Sequence, residues 1–352
     1  MKNKIITITL ATIMLFSLVT GSLVHADLHI VNNIKTTKQA PKHWGFGKCQ
    51  PQKTSKKNVI ETKKHVFGRK VTLKTSTYLP ANHGYKWGNP QSMVYSKHNK
   101  YLYILYKPIR KESNTGWIIR YNLHGLKKVL KHKPLNYMFK VYAGSHKKKS
   151  YKKLAKYIKV SKQMQLGHGQ AMALNPKTGA IWVNRDLKKR GKYVEKNTTL
   201  LRISAKSLKV TGRTTFKVTD KIPLAHNLTF DRRGKAYFST INKKDNSAKI
   251  YKGTFGINKP SKFTQVQIIK HKAGTHAQAI SYDAKKKRLM LVSDSSIQSF
   301  PIKKLGRLKP ADIRETTFKS KREFETIAFD KKGYAYMLSN RQPEIFKSTK
   351  VY

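Results

Sequence analysis

The stretch GHGQAMALNPKTGAIWV, residues 167–183, reads as a short apolar strand, a turn and a second apolar strand. His168 and Gln170 stand directly in front of this hairpin. The same pattern returns four more times, as PQSMVYSKHNKYLYILY from Pro90, AHNLTFDRRGKAYFSTIN from Ala225, AQAISYDAKKKRLMLVSD from Ala277 and FETIAFDKKGYAYMLSN from Phe324. Each copy has a polar residue, a short run of small or apolar residues, then Ser, Asn or Asp opening a charged turn. A second strand rich in Tyr, Trp, Leu and Val follows. Such turn residues close a tight hairpin, and the flanking runs have strand character.

The leading polar residues are Gln91, Gln170, His226, Gln278 and Glu325, separated by 79, 56, 52 and 47 residues. Repeats of about 40–50 residues with four strands each are the size of a β-propeller blade. Two further strand-like runs follow each hairpin, among them GWIIRYNLH and FKVYAG in the first repeat and TTLLRIS and TTFKVT in the second. The fifth repeat has only EIFKST left before Tyr352, so HVFGRKVTLKT, residues 65–75, is expected to supply its missing strand. The prediction is an all-β fold: a five-bladed β-propeller of four-stranded blades over residues 65–352, its ring closed by an N-terminal strand. A sixth, diverged blade and an irregular β-sandwich stay open as alternatives.

The inner strand of each blade lines a propeller's central channel, so the residues that open those strands converge on one end of it. Gln91, Gln170, His226, Gln278 and Glu325 are therefore expected to form a ring, with His168, His276, Asn89 and Glu323 as a second tier. Amides and imidazoles donate and accept hydrogen bonds at fixed spacing, which suits hydroxyl-rich or phosphate-bearing ligands. The structural alternative is a polar plug that bonds neighbouring blades together. Metal ligation by His168, His226 and His276 lacks any supporting spacing, and no cofactor is expected, because phosphate-loop glycines and a nucleophile elbow are absent. Glycoside hydrolysis needs two carboxylates flanking the bond. The ring offers Glu325 alone, and Glu323 leads the same strand.

The remaining chain speaks about location and charge. Lys2 and Lys4, the apolar run from Ile5 and the small residues Val24 and Ala26 predict a signal peptide over residues 1–26, and hence a secreted protein. Residues 27–64 read as a basic, flexible lead-in, and the single Cys49 allows no internal disulfide. Residues 145–163, SHKKKSYKKLAKYIKVSKQ, read as a solvated loop, or as a short basic helix with Leu154, Tyr157 and Ile158 on one face. The 75 Lys and Arg against 16 Asp and Glu give a formal charge of +59. A secreted polycation seeks polyanions, here anionic cell-wall polymers or an anionic membrane surface. Lys dominates over Arg, which favours diffuse attraction over bidentate phosphate reading, so no specific nucleic-acid partner is expected.

The strands THAQAISYD, GHGQAMALN and FETIAFD, each followed by a hairpin, resemble those of the helveticin J family of class III bacteriocins. The resemblance covers residues 65–352 and implies an exported antibacterial propeller acting on bacterial envelopes. It supplies no catalytic residues. The expected function is a non-enzymatic, cell-wall-associated binder. A glycan-processing propeller enzyme and a passive surface protein without a specific ligand are the alternatives.

Overall fold

The structure is a computed structural model that describes residues 30–31, 57–80, 88–108, 113–190, 192–194, 197–216, 227–242, 245–257, 261–270, 272–274, 276–320, 322–340 and 343–352. The signal segment, Cys49 and His226 lie outside these residues. Three strands come first: β1 (Ile30–Val31), β2 (Val59–Val66) and β3 (Thr72–Tyr78). The first repeat then forms β4 (Asn89–Tyr95), β5 (Tyr101–Lys107) and β6 (Thr115–Asn122), followed by helices α1 (Leu123–Leu130), α2 (Tyr137–Ala143) and α3 (Lys149–Ala155). Strand β7 (Ile158–Val160) completes its sheet, and β8 (Met164–Gln165) pairs with the start of β6.

The second repeat holds β9 (Met172–Leu174) and β10 (Ile181–Arg185), a small hairpin of β11 (Lys188–Lys189) and β12 (Lys192–Tyr193), then β13 (Thr198–Ile203) and β14 (Val210–Phe216). The third holds β15 (Thr229–Phe230), β16 (Ala236–Asn242), β17 (Ser247–Thr254) and β18 (Lys262–Ile269). The fourth is β19 (Ala277–Asp283), β20 (Arg288–Ser293), β21 (Ser296–Pro301) and β22 (Arg314–Phe318). The last is β23 (Phe324–Phe329), β24 (Tyr334–Ser339) and β25 (Glu344–Val351). Within each repeat, successive strands of the sheet pair antiparallel, from the inner strand outward.

The inner strands form a closed ring. Strand β4 packs against β9, β9 against β15, β15 against β19, β19 against β23, and β23 back against β4. This is an all-β propeller. Five apolar clusters fill the spaces between neighbouring sheets. Strand β5 shows how one sequence serves two of them: Leu102, Ile104 and Tyr106 enter one cluster, while Tyr103 and Leu105 enter the next. Strand β20 divides the same way, with Leu289 and Leu291 on one side and Met290 and Val292 on the other. A strand buried on both faces reads as a continuous apolar run, which is why YLYILY and RLMLVS carry so little alternation of polarity.

Three expectations need correction. Residues 65–75 do not form one strand: β2 ends at Val66, Phe67 turns with a φ of 50°, and β3 begins at Thr72. Strand β3 pairs with β25, and β2 bridges β3 to β22, tying the fourth and fifth sheets into one. The lead-in 27–64 is not wholly an arm, since β1 adds in parallel to the edge of β18 and β2 begins at Val59. FKVYAG is not a strand. Met138 and Tyr142, four residues apart, share one buried helical face of α2, and Leu154 of α3 joins the same cluster. The apolar side of the basic segment is therefore committed to the core.

A buried ionic cluster anchors the N-terminal strands to the last sheet. Arg322, just before β23, donates to the Glu344 carboxylate at 2.7 Å and to Ser339 Oγ at 2.7 Å. Asn58 Nδ2 reaches both oxygens of Glu344 at 3.2 Å, and Thr75 Oγ1 donates to the same carboxylate. Arg322 is 2 % exposed and Glu344 0 %, so neither charge has water to fall back on. Removing one partner of such a pair costs about 3–5 kcal/mol. Arg322→Ala is expected to lower the urea midpoint accordingly, and adding Glu344→Gln to recover part of the loss, because no uncompensated carboxylate is left.

Candidate functional site

Three of the polar residues that open inner strands, Gln91, Gln278 and Glu325, sit at irregularities of the ladder. Between β4 and β5 the register slips at Gln91, since Pro90 faces Tyr106 and Ser92 faces Leu105. It slips at Gln278 between β19 and β20 and at Glu325 between β23 and β24 in the same way. A one-residue bulge leaves its extra residue unpaired and re-aims the side chain. A polar group can thus stand at the end of an apolar strand without disturbing either flanking core.

Four of the five expected ring members fall among the described residues. Gln170 Nε2 donates to Gln278 Oε1 at 2.5 Å, joining the second and fourth repeats directly. Gln278 Nε2 donates onward to Asp294 Oδ1 at 3.3 Å. Glu325 accepts from Asn340 Nδ2 at 2.9 Å, while its second oxygen is buried without a hydrogen-bond partner. Gln91 is buried and folds back toward the carbonyl of Pro90 at 3.3 Å. In the outer tier, His276 Nδ1 lies 3.6 Å from Asp294 Oδ2 with nearly half its side chain exposed. The His168 backbone N–H donates to Asp186 Oδ1 at 2.7 Å.

A second layer of the site comes from residues the hairpin pattern did not single out. They occupy the exit of each second strand: Lys107, Asp186, Asp294 and Asn340, with Ile241 at the matching place in the third repeat. The strings ILYK, WVNRD, LVSD and MLSN end on them, and a polar residue closing an otherwise apolar strand was the available signal. Lys272 approaches from the loop after β18, donating to the carbonyls of Ala273 and Gly274 at 2.8 Å and to Ser293 Oγ at 2.9 Å.

Burial and like charge set the electrostatics. Desolvation pushes Asp294 up to about 7, with Glu323 adding to the rise and the Gln278 hydrogen bond and Lys272 opposing it. Glu325 is driven well above the usual carboxylate range by burial and by Glu323 beside it. Burial lowers Lys107 and takes Lys272 down to about 8, although Asp186 and Glu325 pull the first upward and Asp294 and Glu315 the second. The assembly is a plug, a cluster of buried polar groups in which burial biases Asp294 and Glu325 toward their protonated forms. No group of three or more His, Cys, Asp and Glu among the described residues is arranged to hold a metal ion.

Above the plug lies a cavity of about 210 Å³, lined by residues of all five inner strands and reaching down to Gln170. The hairpin turns surround its other end. Asp231, Asp283 and Asp330 open three of those turns, and each carboxylate accepts from two backbone N–H groups of its own turn.

The sequence matches no protein-family model and no curated protein. Among solved structures, a nidogen/laminin complex is similar at 12% identity over 81% of this chain and 86% of that one, with a TM-score of 0.40. The soluble aldose sugar dehydrogenase from Escherichia coli, in its apo-form, matches at 12% identity over 79% and 99%, with a TM-score of 0.39. YCF48 bound to D1 peptide matches at 11% identity over 80% and 73%, with a TM-score of 0.36. Likenesses of this size say nothing of ligand or chemistry.

An aspartate in the unfolded chain titrates at about 3.9, whereas folded Asp294 titrates at about 7. Between those values the folded state holds the extra proton. The stability this group contributes is therefore complete below the unfolded value and is lost as pH rises toward the folded one. Asp294→Asn is expected to raise the Tm by a few degrees near pH 8 and to leave it almost unchanged near pH 4, read from thermal melts across that range.

Proposed function

We propose that the protein is a secreted, five-bladed propeller that binds anionic polymers of the bacterial cell envelope through its charged surface and does no chemistry on them. The observation that carries this reading is where the acids lie. Of the 16 Asp and Glu, eight are buried: Asp186, Asp231, Asp283, Asp294, Glu315, Glu323, Glu325 and Glu344. Among the described residues only Glu61 and Asp245 are fully exposed acids. Half of the carboxylates are thus withdrawn into the interior. The surface is left more cationic than the composition implies, and a field of that sign concentrates polyanions.

The signal segment and the helveticin J resemblance support an envelope setting and make bacteriocin activity the natural extension of the reading. A glycosidase needs a protonated acid and an ionised carboxylate that both reach the substrate. Glu325 is biased toward its protonated form, yet it is 2 % exposed within the plug, which favours a structural role.

The test is binding of the mature chain to Gram-positive walls with and without their teichoic acid, over a series of salt concentrations. Binding that needs the polymer and falls about tenfold or more between low and high salt is expected, as for release of counterions from a polyanion. Equal binding to stripped and intact walls would overturn the polymer assignment. Glycan cleavage lost on Glu325→Gln would overturn the non-enzymatic one.

A further inference from the structure

The cavity's open end differs in kind from its plugged end. Its wall is made by a stretch of each inner strand, and Met93, Leu174, Phe230, Ile280, Ala328 and Phe329 make much of it apolar. Several polar groups along it are occupied: Ser92 Oγ bonds the backbone of Met172, Asn227 bonds Ser239, and Ser281 and Thr326 face each other at 3.5 Å. At the rim stand the hairpin turns, and each carries a cation: Lys97, Lys177, Arg232, Lys285 and Lys332, all exposed. The turns touch one another. Lys285 Nζ donates to the Lys332 carbonyl at 3.0 Å, and a Cβ on Gly234 would stand 2.9 Å from Asn175 Oδ1. Lys97 and Arg232 both border the cavity. Asp231 and Asp283 are buried at this face and the Asp330 carboxylate is held by its own turn, so five cations stand against three carboxylates and the collar keeps an excess of positive charge.

An apolar well inside a cationic collar is complementary to one kind of molecule. We infer that the turn-side mouth binds an amphiphilic anion, its apolar chain in the cavity and its phosphate on the collar of Lys97 and Arg232. Sites of this type bury a ligand's apolar body and orient it by a few charged groups at the opening. The inner strands run from Ser92 to Tyr95 along the wall, a depth of about 10 Å at the rise of a β-strand. A chain of roughly octyl length fills it. A bare polyanion would engage the collar and leave the cavity unused, so this site is separate from polymer capture by the general surface.

Titration calorimetry with octyl phosphate, inorganic phosphate and octyl glucoside tests the assignment. Octyl phosphate is expected to bind about tenfold or more tighter than either control, since only it presents both halves. Ala328→Phe, which fills the cavity, should abolish that advantage while leaving binding to intact walls unchanged. Lys97→Ala combined with Arg232→Ala, two surface changes that spare the fold, should weaken octyl phosphate toward octyl glucoside. Octyl phosphate binding no tighter than inorganic phosphate, or binding equally to the Ala328→Phe protein, would overturn the inference. Wall binding would stand unaffected by that failure. Phosphatidylglycerol vesicles that compete with octyl phosphate would assign the site to membrane lipid, and bound octyl phosphate indifferent to vesicles would assign it to a free amphiphile.

Discussion

One buried carboxylate ties the N-terminal strands into the last sheet. Glu344 gathers Arg322, Asn58 and Thr75, which come from the last repeat, from the residue before β2 and from β3. A propeller is stable because each sheet is covered on both faces by its neighbours, and that holds only while the first sheet meets the last. The cluster of Leu79, Met93, Ile104, Leu338 and Ile345 exists because that meeting occurs. Everything described at the channel, the bulged amides above all, presupposes the closed ring.

The second constraint is the separation of charge. A chain with this excess of Lys and Arg repels itself, and self-repulsion works against a compact state. Placing eight acids inside does not relieve surface repulsion. It removes negative charge from the exterior and gives each acid a local task instead, in a turn, in the plug or in the ionic cluster. Three of the plug groups meet the cost of burial differently. Asp294 and Glu325 shift toward their neutral forms, while Lys272 keeps its ammonium within reach of three oxygen acceptors.

Much of this was legible in the sequence, for a physical reason. The hairpins recur because every inner strand meets the same requirements: small residues near the axis, a turn Asp or Asn, and a second strand buried on both faces. Gln170 and Gln278 could be placed in one ring from the recurring hairpins, although more than a hundred residues separate them, but their direct hydrogen bond could not be read. The exit residues Lys107, Asp186, Asp294 and Asn340 were harder to see. Their requirement is only to be polar, so a cation, two acids and an amide share one structural position. Helices α1 and α2 were missed, and α3 was only one of two readings, because short helices held by tertiary packing carry little intrinsic signal. The Arg322–Glu344 pair was invisible, since nothing in either local sequence points across the ring.

The pairing of β3 with β25 has a kinetic side. Thr75 and Glu344 are 269 residues apart, so the contact that completes the ring is among the least local in the chain. Closure of so long a loop adds little entropy beyond that of a moderately long one, but contacts of such separation form slowly. The first strands to emerge during synthesis must wait for nearly the last residues to be made. Until then the nascent chain carries unpaired sheet edges, and its own density of lysines is what keeps those edges from meeting a neighbour's.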